Sequence, residues 1–541
     1  MYSSAWLKLE EGKTKELLFS YSQTQTRLDP PFPLNYVGNC VMPHICTATA
    51  RDLTEENGVA FVTEKLSDVV KGLGRPKKVE IVSIDRNGAI AVAKCRDRSR
   101  GVEISVALKK QEIESTSYVF VFPIAGDGAS ICPFILPNLK LSLSRTLLHY
   151  LPLAGNLIWP QVALKPYSYY SLNDGVSLSV AECNADSTRL FDNHIHEALE
   201  LRPFIPELFS TDDKAAIISI QITLFPNEGF CIGISTHQAI LDGRSSTMFI
   251  KSWAFLCKLC HEQEQQEEVS SLPPELTPCF DRTLIKDPNG VDMVYLKNWS
   301  DFAKSDSNPN SQSLKIMPSM GGKPSWVRAT FELTHQDIKE LRNKISSKNI
   351  ENKSKQLRLS TFVLTYAYVF VCFMKTKRVE DDTSVIIAFT ADYRTRLDPP
   401  IVTNYFGNCV MSHAVVAKAR EVKEENGVAF VAEKVSDMIK EMENGVLEGT
   451  EDTLTKFVRM RDEHPGAQGV GVAGSTQFDM YGSDFGWGRP KKVEIVSIDR
   501  TGAIGLTRSG DGSGGVEIGV VLEKQEMEDF ASIFGDGLKN L

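Results

Sequence analysis

Apolar positions along this 541-residue chain fall into blocks whose spacing predicts its elements. Ala215 to Leu224 and Phe230 to Ser235 are β-prone runs separated by the turn-forming PNEG, and they read as two strands. The second runs through THQAILDG into STMFIKSWAFLC, whose apolar residues recur at helical spacing. A strand that ends in a polar turn and feeds a helix sets side chains at a sheet edge. The imidazole of His237, the amide of Gln238 and the carboxylate of Asp242 stand in that turn. Elsewhere the pattern predicts an amphipathic helix from Pro133 to Tyr150, a strand in VRATFEL, and a helix from Thr334 to Ser346 with Thr334 as its N-cap. LSTFVLTYAYVFVCFM is too short to span a bilayer and reads as a buried helix. VIIAFTADYRTRLDPP runs from a strand into a turn. The polar, Pro-bearing stretches from Gln263 through SSLPPELTP, and again from Ser305 to Ser313, read as a surface crossover.

The pattern contains an unexpected repeat. TRLDPPFPLNYVGNCVMPH, from Thr26 to His44, returns as TRLDPPIVTNYFGNCVMSH from Thr395 to His413, with Arg27 and Arg396 369 residues apart. After Lys71 the copy resumes as GLGRPKKVEIVSID at an offset of 414, so it lacks 45 residues that its counterpart has. One long imperfect duplication is not the short period of a solenoid. Residues 1–114 are therefore expected to be a shortened, non-catalytic duplicate of the C-terminal segment.

Composition adds limits. With 42% hydrophobic, 9% aromatic and 24% charged residues the chain is globular and long enough for more than one core. A net charge of −9 and a pI near 5.7 give no electrostatic case for nucleic acid or an anionic membrane. The N-terminus lacks an apolar signal core, so a cytoplasmic location is expected and the eleven cysteines read as reduced thiols. No metal-ligand spacing is present. Cys257 to His261 spells CxxCH within a helix, and Gly469 to Gly474 spells GxGxxG without the strand and helix that a dinucleotide site needs. Neither haem nor a dinucleotide is expected.

THQAILDG followed by RSSTMFIKSWA resembles the HxxxDG segment of the plant CoA-dependent acyltransferases called BAHD. Asp484-Phe485-Gly486-Trp487-Gly488 spells the DFGWG mark of that family. YFGNC (Tyr405, Phe406, Gly407, Asn408, Cys409), LPLAGNL at Leu151 to Leu157 and DRTLIKDP at Asp281 to Pro288 resemble the branch that acylates sugars of anthocyanins and phenolic glucosides. The resemblance implies an α/β fold of two similar mixed-sheet domains of the chloramphenicol acetyltransferase type, residues 115–325 and 326–541, meeting at a channel. It implies malonyl or hydroxycinnamoyl transfer from acyl-CoA to a sugar hydroxyl, with acyl-CoA as cosubstrate, a phenolic glycoside as acceptor, no bound cofactor or metal, and a monomer.

The resemblance also fixes roles. The family's base stands four residues before the motif Asp, and here that position is Gln238, which cannot take a proton at neutral pH. His237 matches the first of the family's two histidines, and neighbouring side chains on extended chain point to opposite faces. A shifted loop that lets His237 serve as base remains an open alternative. So does a catalytically impaired member that binds ligands or a partner without turnover. The family's Asp pairs with an Arg to fix the loop, so Asp242 is expected to pair with Arg394 or Arg396, and Gly243 to permit tight backbone at the helix start. Asp484 to Gly488 are expected to hold shape beside the CoA channel. Tyr405, Phe406, Gly407, Asn408 and Ser475 are expected to line the substrate channel, with Ser475 in AGSTQF where the family has a pattern nearer AGSPKF.

Overall fold

The computed structural model describes residues 16–23, 41–48, 88–94, 102–108, 115–123, 128–262, 271–287, 290–305, 313–314, 323–351, 357–442 and 453–541. They fall into two compact units, Met1–Lys110 and Gln111–Leu541.

The first unit contains two antiparallel pairs: β1 (Glu16–Gln23) with β2 (Val41–Ala48), and β3 (Gly88–Lys94) with β4 (Val102–Leu108). Their registers repeat those of the C-terminal segment. Glu16 faces Ala48 as, 369 residues on, Val385 faces Ala417. Ala91 faces Ser105 as, 414 residues on, Gly505 faces Gly519. The flank differs, since Gln23 and Gln25 stand where the later segment has Asp392 and Arg394.

The second unit opens with β5 (Ser115–Pro123) and α1 (Gly128–His149), which begins five residues ahead of the expected Pro133. It continues through β6 (Ser177–Glu182), the two-residue β7 (His196–Glu197), β8 (Ile218–Phe225), β9 (Gly229–His237) and α2 (Gly243–Glu262). Then come β10 (Trp326–Leu333), α3 (His335–Glu351), α4 (Thr361–Thr376), β11 (Ser384–Asp392) and β12 (Val410–Lys418). The short β13 (Gln468–Gly469) and β14 (Val472–Gly474) lead to β15 (Lys492–Ile495), β16 (Ile504–Arg508), β17 (Val516–Glu523) and α5 (Lys524–Lys539).

Local chemistry accounts for several boundaries. Thr334 and Asp337 cap α3 reciprocally: the Asp337 N–H donates to the Thr334 hydroxyl at 3.1 Å, and Asp337 Oδ2 accepts from the Thr334 N–H at 2.8 Å. The Ser360 hydroxyl accepts from the Val363 N–H at the head of α4. That helix is apolar almost all round and is accordingly buried all round. The expected crossover contains a helix, Val291–Ser305, that sequence reasoning missed; its stretches 263–270 and 306–312 lie outside the described residues. No helix of the described residues is long and apolar enough to cross a membrane.

Two five-stranded mixed sheets organise this unit, in the orders β15-β5-β9-β8-β6 and β14-β16-β17-β10-β7. Each contains a strand from the far side of the sequence: β15 pairs antiparallel with β5, and β7 with β10. A smaller sheet has the order β12-β11-β13. At the exchange point Arg328 of β10, 1% exposed, donates to both oxygens of Asp499 and to Glu494 of β15. Burial pushes the Asp499 carboxyl up to about 7 against the pull of Arg328. Two large apolar cores follow, one around α4 and β17 and one around α1, α2 and the β5-β9-β8 strands, with a smaller third cluster around Val119, Phe204 and Phe225. The turn after β9 lies at an edge of the second.

Candidate active site

β9 is buried along its whole length and delivers His237 to its last position. Ala239 donates its N–H to His237 Nδ1 at 3.2 Å. That bond assigns the remaining proton of the neutral ring to Nε2. The ring is 1% exposed, Nε2 makes no well-formed hydrogen bond, and burial holds the imidazole down at about 4, with the Leu314 backbone pulling weakly the other way. His237 is thus neutral at pH 7, but its one lone pair is engaged. Gln238, the first residue of the turn, is exposed, and its backbone carbonyl accepts from Asn408 Nδ2 at 2.7 Å.

At the other end of the turn Asp242 is fully engaged. Its Oδ1 accepts the Ser245 N–H at 2.8 Å, which caps α2, and its Oδ2 accepts the Cys409 N–H at 3.1 Å and pairs with Arg394 at 2.8 Å. Arg394, not Arg396, therefore provides the cation. Its guanidinium also donates to the carbonyls of Tyr405 and Gly407, to the Ser245 hydroxyl and to Asp392. Arg396 donates to the Asp392 carbonyl instead. Asp392 lies between Arg394 and Arg244; burial pushes its carboxyl up, but the two arginines hold it below the usual carboxylate range. Sequence reasoning missed Asp392, Arg244 and Ser245. Asp392 carried a signal, since residues i and i+2 at a strand end share a face and DxR therefore presents an ion pair.

Two of the branch-specific words, DRTLIKDP and YFGNC, more than a hundred residues apart in sequence, meet here. Cys279 and Tyr405 form a parallel bridge, Cys279 N donating to Asn404 O and Phe406 N to Cys279 O. Arg282 of DRTLIKDP donates to the Phe406 carbonyl at 2.6 Å and lies 4.9 Å from the Tyr405 ring centroid. Phe406 packs edge-on against Tyr150 and Phe280 at 5.0 and 5.4 Å. Tyr405, Phe406 and Gly407 are buried packing positions, whereas Asn408 is exposed. Gly407 is held at φ +143°, and a Cβ there would stand 3.0 Å from the Arg282 guanidinium.

Gly243 has a reason other than backbone freedom. Its φ lies outside the left-handed region, but a Cβ would come within 2.6 Å of the Phe478 ring, so AGSTQF presses directly on the start of α2. Ser475 is half-buried and its hydroxyl accepts the Gln477 N–H at 3.2 Å. In DFGWG, Asp484 accepts the N–H groups of Gly486 and Gly488 and pairs with Lys258 of α2 at 2.8 Å. Phe485 is fully buried against Trp253 and Phe122, and Trp487 packs edge-on to Phe230. The element fastens α2 to the β5-β9 pair and offers no reactive group. Cys257 and Cys260 both lie on α2, and Cys260 accepts from Arg145.

A cavity of about 490 Å³ is bordered by the head of α4, AGSTQF and the glycine-rich loop after β16. Thr361, Thr476, Gln477, Arg489, Arg508 and Ser509 are among its lining residues; His237, Gln238 and Asp242 are not. Among the described residues, no group of three or more His, Cys, Asp or Glu side chains is placed to hold a metal ion.

The chain matches the model of the Transferase family over residues 132–536. It is 42% identical over 417 residues to phenolic glucoside malonyltransferase 1 of Arabidopsis thaliana, covering 75% of this chain and 86% of the relative. It is 43% identical over 411 residues to malonyl-CoA:anthocyanidin 5-O-glucoside-6''-O-malonyltransferase of the same plant, covering 75% and 88%. The fold is similar to the crystal structure of vinorine synthase, with a TM-score of 0.53 at 18% identity over 77% of this chain and 89% of that one. These relatives are transferases by name, which gives no support to a ligand-binding protein without turnover.

Proposed function

The chain belongs to this transferase family, the BAHD acyltransferases, and from that premise we propose that it moves a malonyl or hydroxycinnamoyl group from acyl-CoA to a sugar hydroxyl of a phenolic glucoside or anthocyanin. The observation that carries this reading is the turn from His237 to Asp242, fastened by Arg394, Ser245 and Cys409 in a form that presents the side chain at 238 outward. In this reading residues 115–325 and 326–541 are the two halves of the transferase, and residues 1–114 take no part in catalysis. It acts as a cytosolic monomer with no bound cofactor.

The reaction joins the acceptor oxygen to the thioester carbonyl carbon, breaks the C–S bond and releases CoA, while the acceptor proton must leave. Orientation of two bound substrates accelerates such a step whether or not a base is present. Gln238 supplies no base, so transfer to a sugar hydroxyl should run about 10²- to 10⁴-fold below a His-bearing turn. The 490 Å³ cavity suits the anionic end of the cosubstrate: Arg489 and Arg508 line it with no ion-pair partner among the described residues, beside the N-terminus of α4, and its one lining carboxylate, Asp479, pairs with Lys251. The test is CoA release from malonyl-CoA and a flavonoid glucoside by native protein and Gln238→His. Turnover that rises in the variant supports the reading; absence of turnover in both overturns it.

A further inference from the structure

We propose that the native chain acylates an acidic hydroxyl, phenolic or enolic, that ionises by itself near neutral pH, in preference to a sugar hydroxyl. This rests on the acyl-transfer part of the proposed function and changes its acceptor position, from the sugar hydroxyl, which a turn without a base serves slowly, to the phenolic hydroxyl of the same kind of acceptor. The reason is that each group in the turn that could receive a proton is non-basic or has its accepting atoms already engaged. Gln238 is a carboxamide. His237 accepts from Ala239 through Nδ1, carries its proton on Nε2, and is sealed from solvent. Both oxygens of Asp242 are bound, to Ser245 N–H on one side and to Arg394 and Cys409 N–H on the other.

The groups packed around the turn do not replace them. Asp392 is held by Arg244 and Arg394. The Cys409 thiol is pushed up to about 11 by burial and stays protonated. His413 Nε2 faces the Tyr393 hydroxyl at 2.7 Å. What the surroundings do offer is positive charge, since Arg244, Arg394 and Arg396 stand against Asp242 and Asp392. An excess cation beside the turn favours an anionic nucleophile over a neutral alcohol.

A phenol of ordinary acidity, with a pKa of about 10, is only about one part in a thousand ionised at pH 7; phenols and enols of lower pKa reach a usable anionic fraction there, and a sugar hydroxyl, lacking ring delocalisation, does not. The phenol gives its proton to water before the step. The phenolate oxygen then bonds to the thioester carbon, the tetrahedral oxyanion collapses with cleavage of C–S, and the CoA thiolate takes a proton from solvent. Atoms and charge balance without a protein base.

The test uses full-length native protein and Gln238→His, malonyl-CoA, a series of phenols of graded acidity, and a flavonoid glucoside whose phenolic hydroxyls are methylated so that only sugar hydroxyls remain. Ester products are read by mass spectrometry against heat-inactivated protein. With phenols, the native rate should rise about tenfold per pH unit up to the acceptor's own pKa, with no inflection from the protein. The methylated glucoside should be acylated at least about 100-fold faster by Gln238→His than by native protein. The inference is overturned if native protein acylates the methylated glucoside as fast as the phenols, or if its rate follows a protein group near neutral pH. It is also overturned if native protein acylates no phenol while Gln238→His acylates sugars. Inactivity of both proteins on every acceptor overturns the acyl-transfer reading itself, and this inference with it.

Discussion

At the Asp242 end of the turn every carboxylate oxygen has a partner, and the partners come from α2, from the strand end at Arg394 and from the YFGNC segment. At the other end, four residues earlier, Gln238 projects an amide into solvent and only its backbone carbonyl is held, by Asn408. In the proposed reading the family motif divides into two jobs that this chain separates. One is holding the loop, which needs a buried carboxylate and an arginine. The other is moving a proton, which needs a basic side chain at one exposed position. Loss of the second leaves the first intact because no hydrogen bond of the holding network involves the side chain at 238.

The sharpest way to widen the contrast is to restore the missing group. Gln238→His should raise CoA release with a sugar acceptor by about 10²- to 10⁴-fold, with no change in thermal midpoint, measured by a thiol-detecting assay. Breaking the other end should do the reverse. Arg394→Ala leaves Asp242 buried without its cation and should cost about 3–5 kcal/mol in denaturant unfolding, with turnover lost through the fold.

His237 gives a pH test of the same contrast. Its folded pKa of about 4 lies below the ordinary 6.5, so the unfolded chain binds more protons between those values and stability falls as pH drops through that window. The loss reaches about 3 kcal/mol by pH 4. Asp499, raised to about 7, acts oppositely because its folded form binds the extra proton between 3.8 and 7. The measurement is therefore the difference between native protein and His237→Gln in urea unfolding at pH 7 and pH 4.5, which should shrink or reverse on acidification. The smallest effect concerns the cavity. Arg489→Ala and Arg508→Ala should each raise KM for acyl-CoA about tenfold in the Gln238→His background with kcat unchanged, the loss of one charge-assisted contact.

Much of the scaffold was legible because it is periodic. The strand-turn-helix from Gly229 to Glu262, α3 with Thr334 at its head and the buried α4 each announce themselves by spacing. Pairings between distant segments were not. Nothing in KKVEI says that it adds to the strand Ser115–Pro123, because a strand's partner is chosen by the whole fold. The meeting of DRTLIKDP and YFGNC was hidden for the same reason, and with it the burial of Tyr405 and Phe406 that a channel lining would not require. The sequence did expose the departure at Gln238. It did not expose the second obstacle, that His237 is tied through Nδ1 to Ala239, since a tautomer is set by local hydrogen bonds and not by residue type.

The N-terminal copy teaches a related lesson. Its hairpins keep the registers of the later segment, yet Gln23 and Gln25 replace the Asp392 and Arg394 that hold the turn. Strand register survives on apolar alternation alone. The holding network depends on two particular charges and does not.

The central claim is that the proton-accepting function is absent from position 238 and is not taken over by position 237. CoA release by native protein, His237→Ala and Gln238→His, measured side by side with malonyl-CoA and a flavonoid glucoside, tests it directly. The account predicts that Gln238→His alone gains turnover and that His237→Ala leaves the native rate unchanged when both are folded by circular dichroism. A native rate abolished by His237→Ala would contradict it and make the buried imidazole the base.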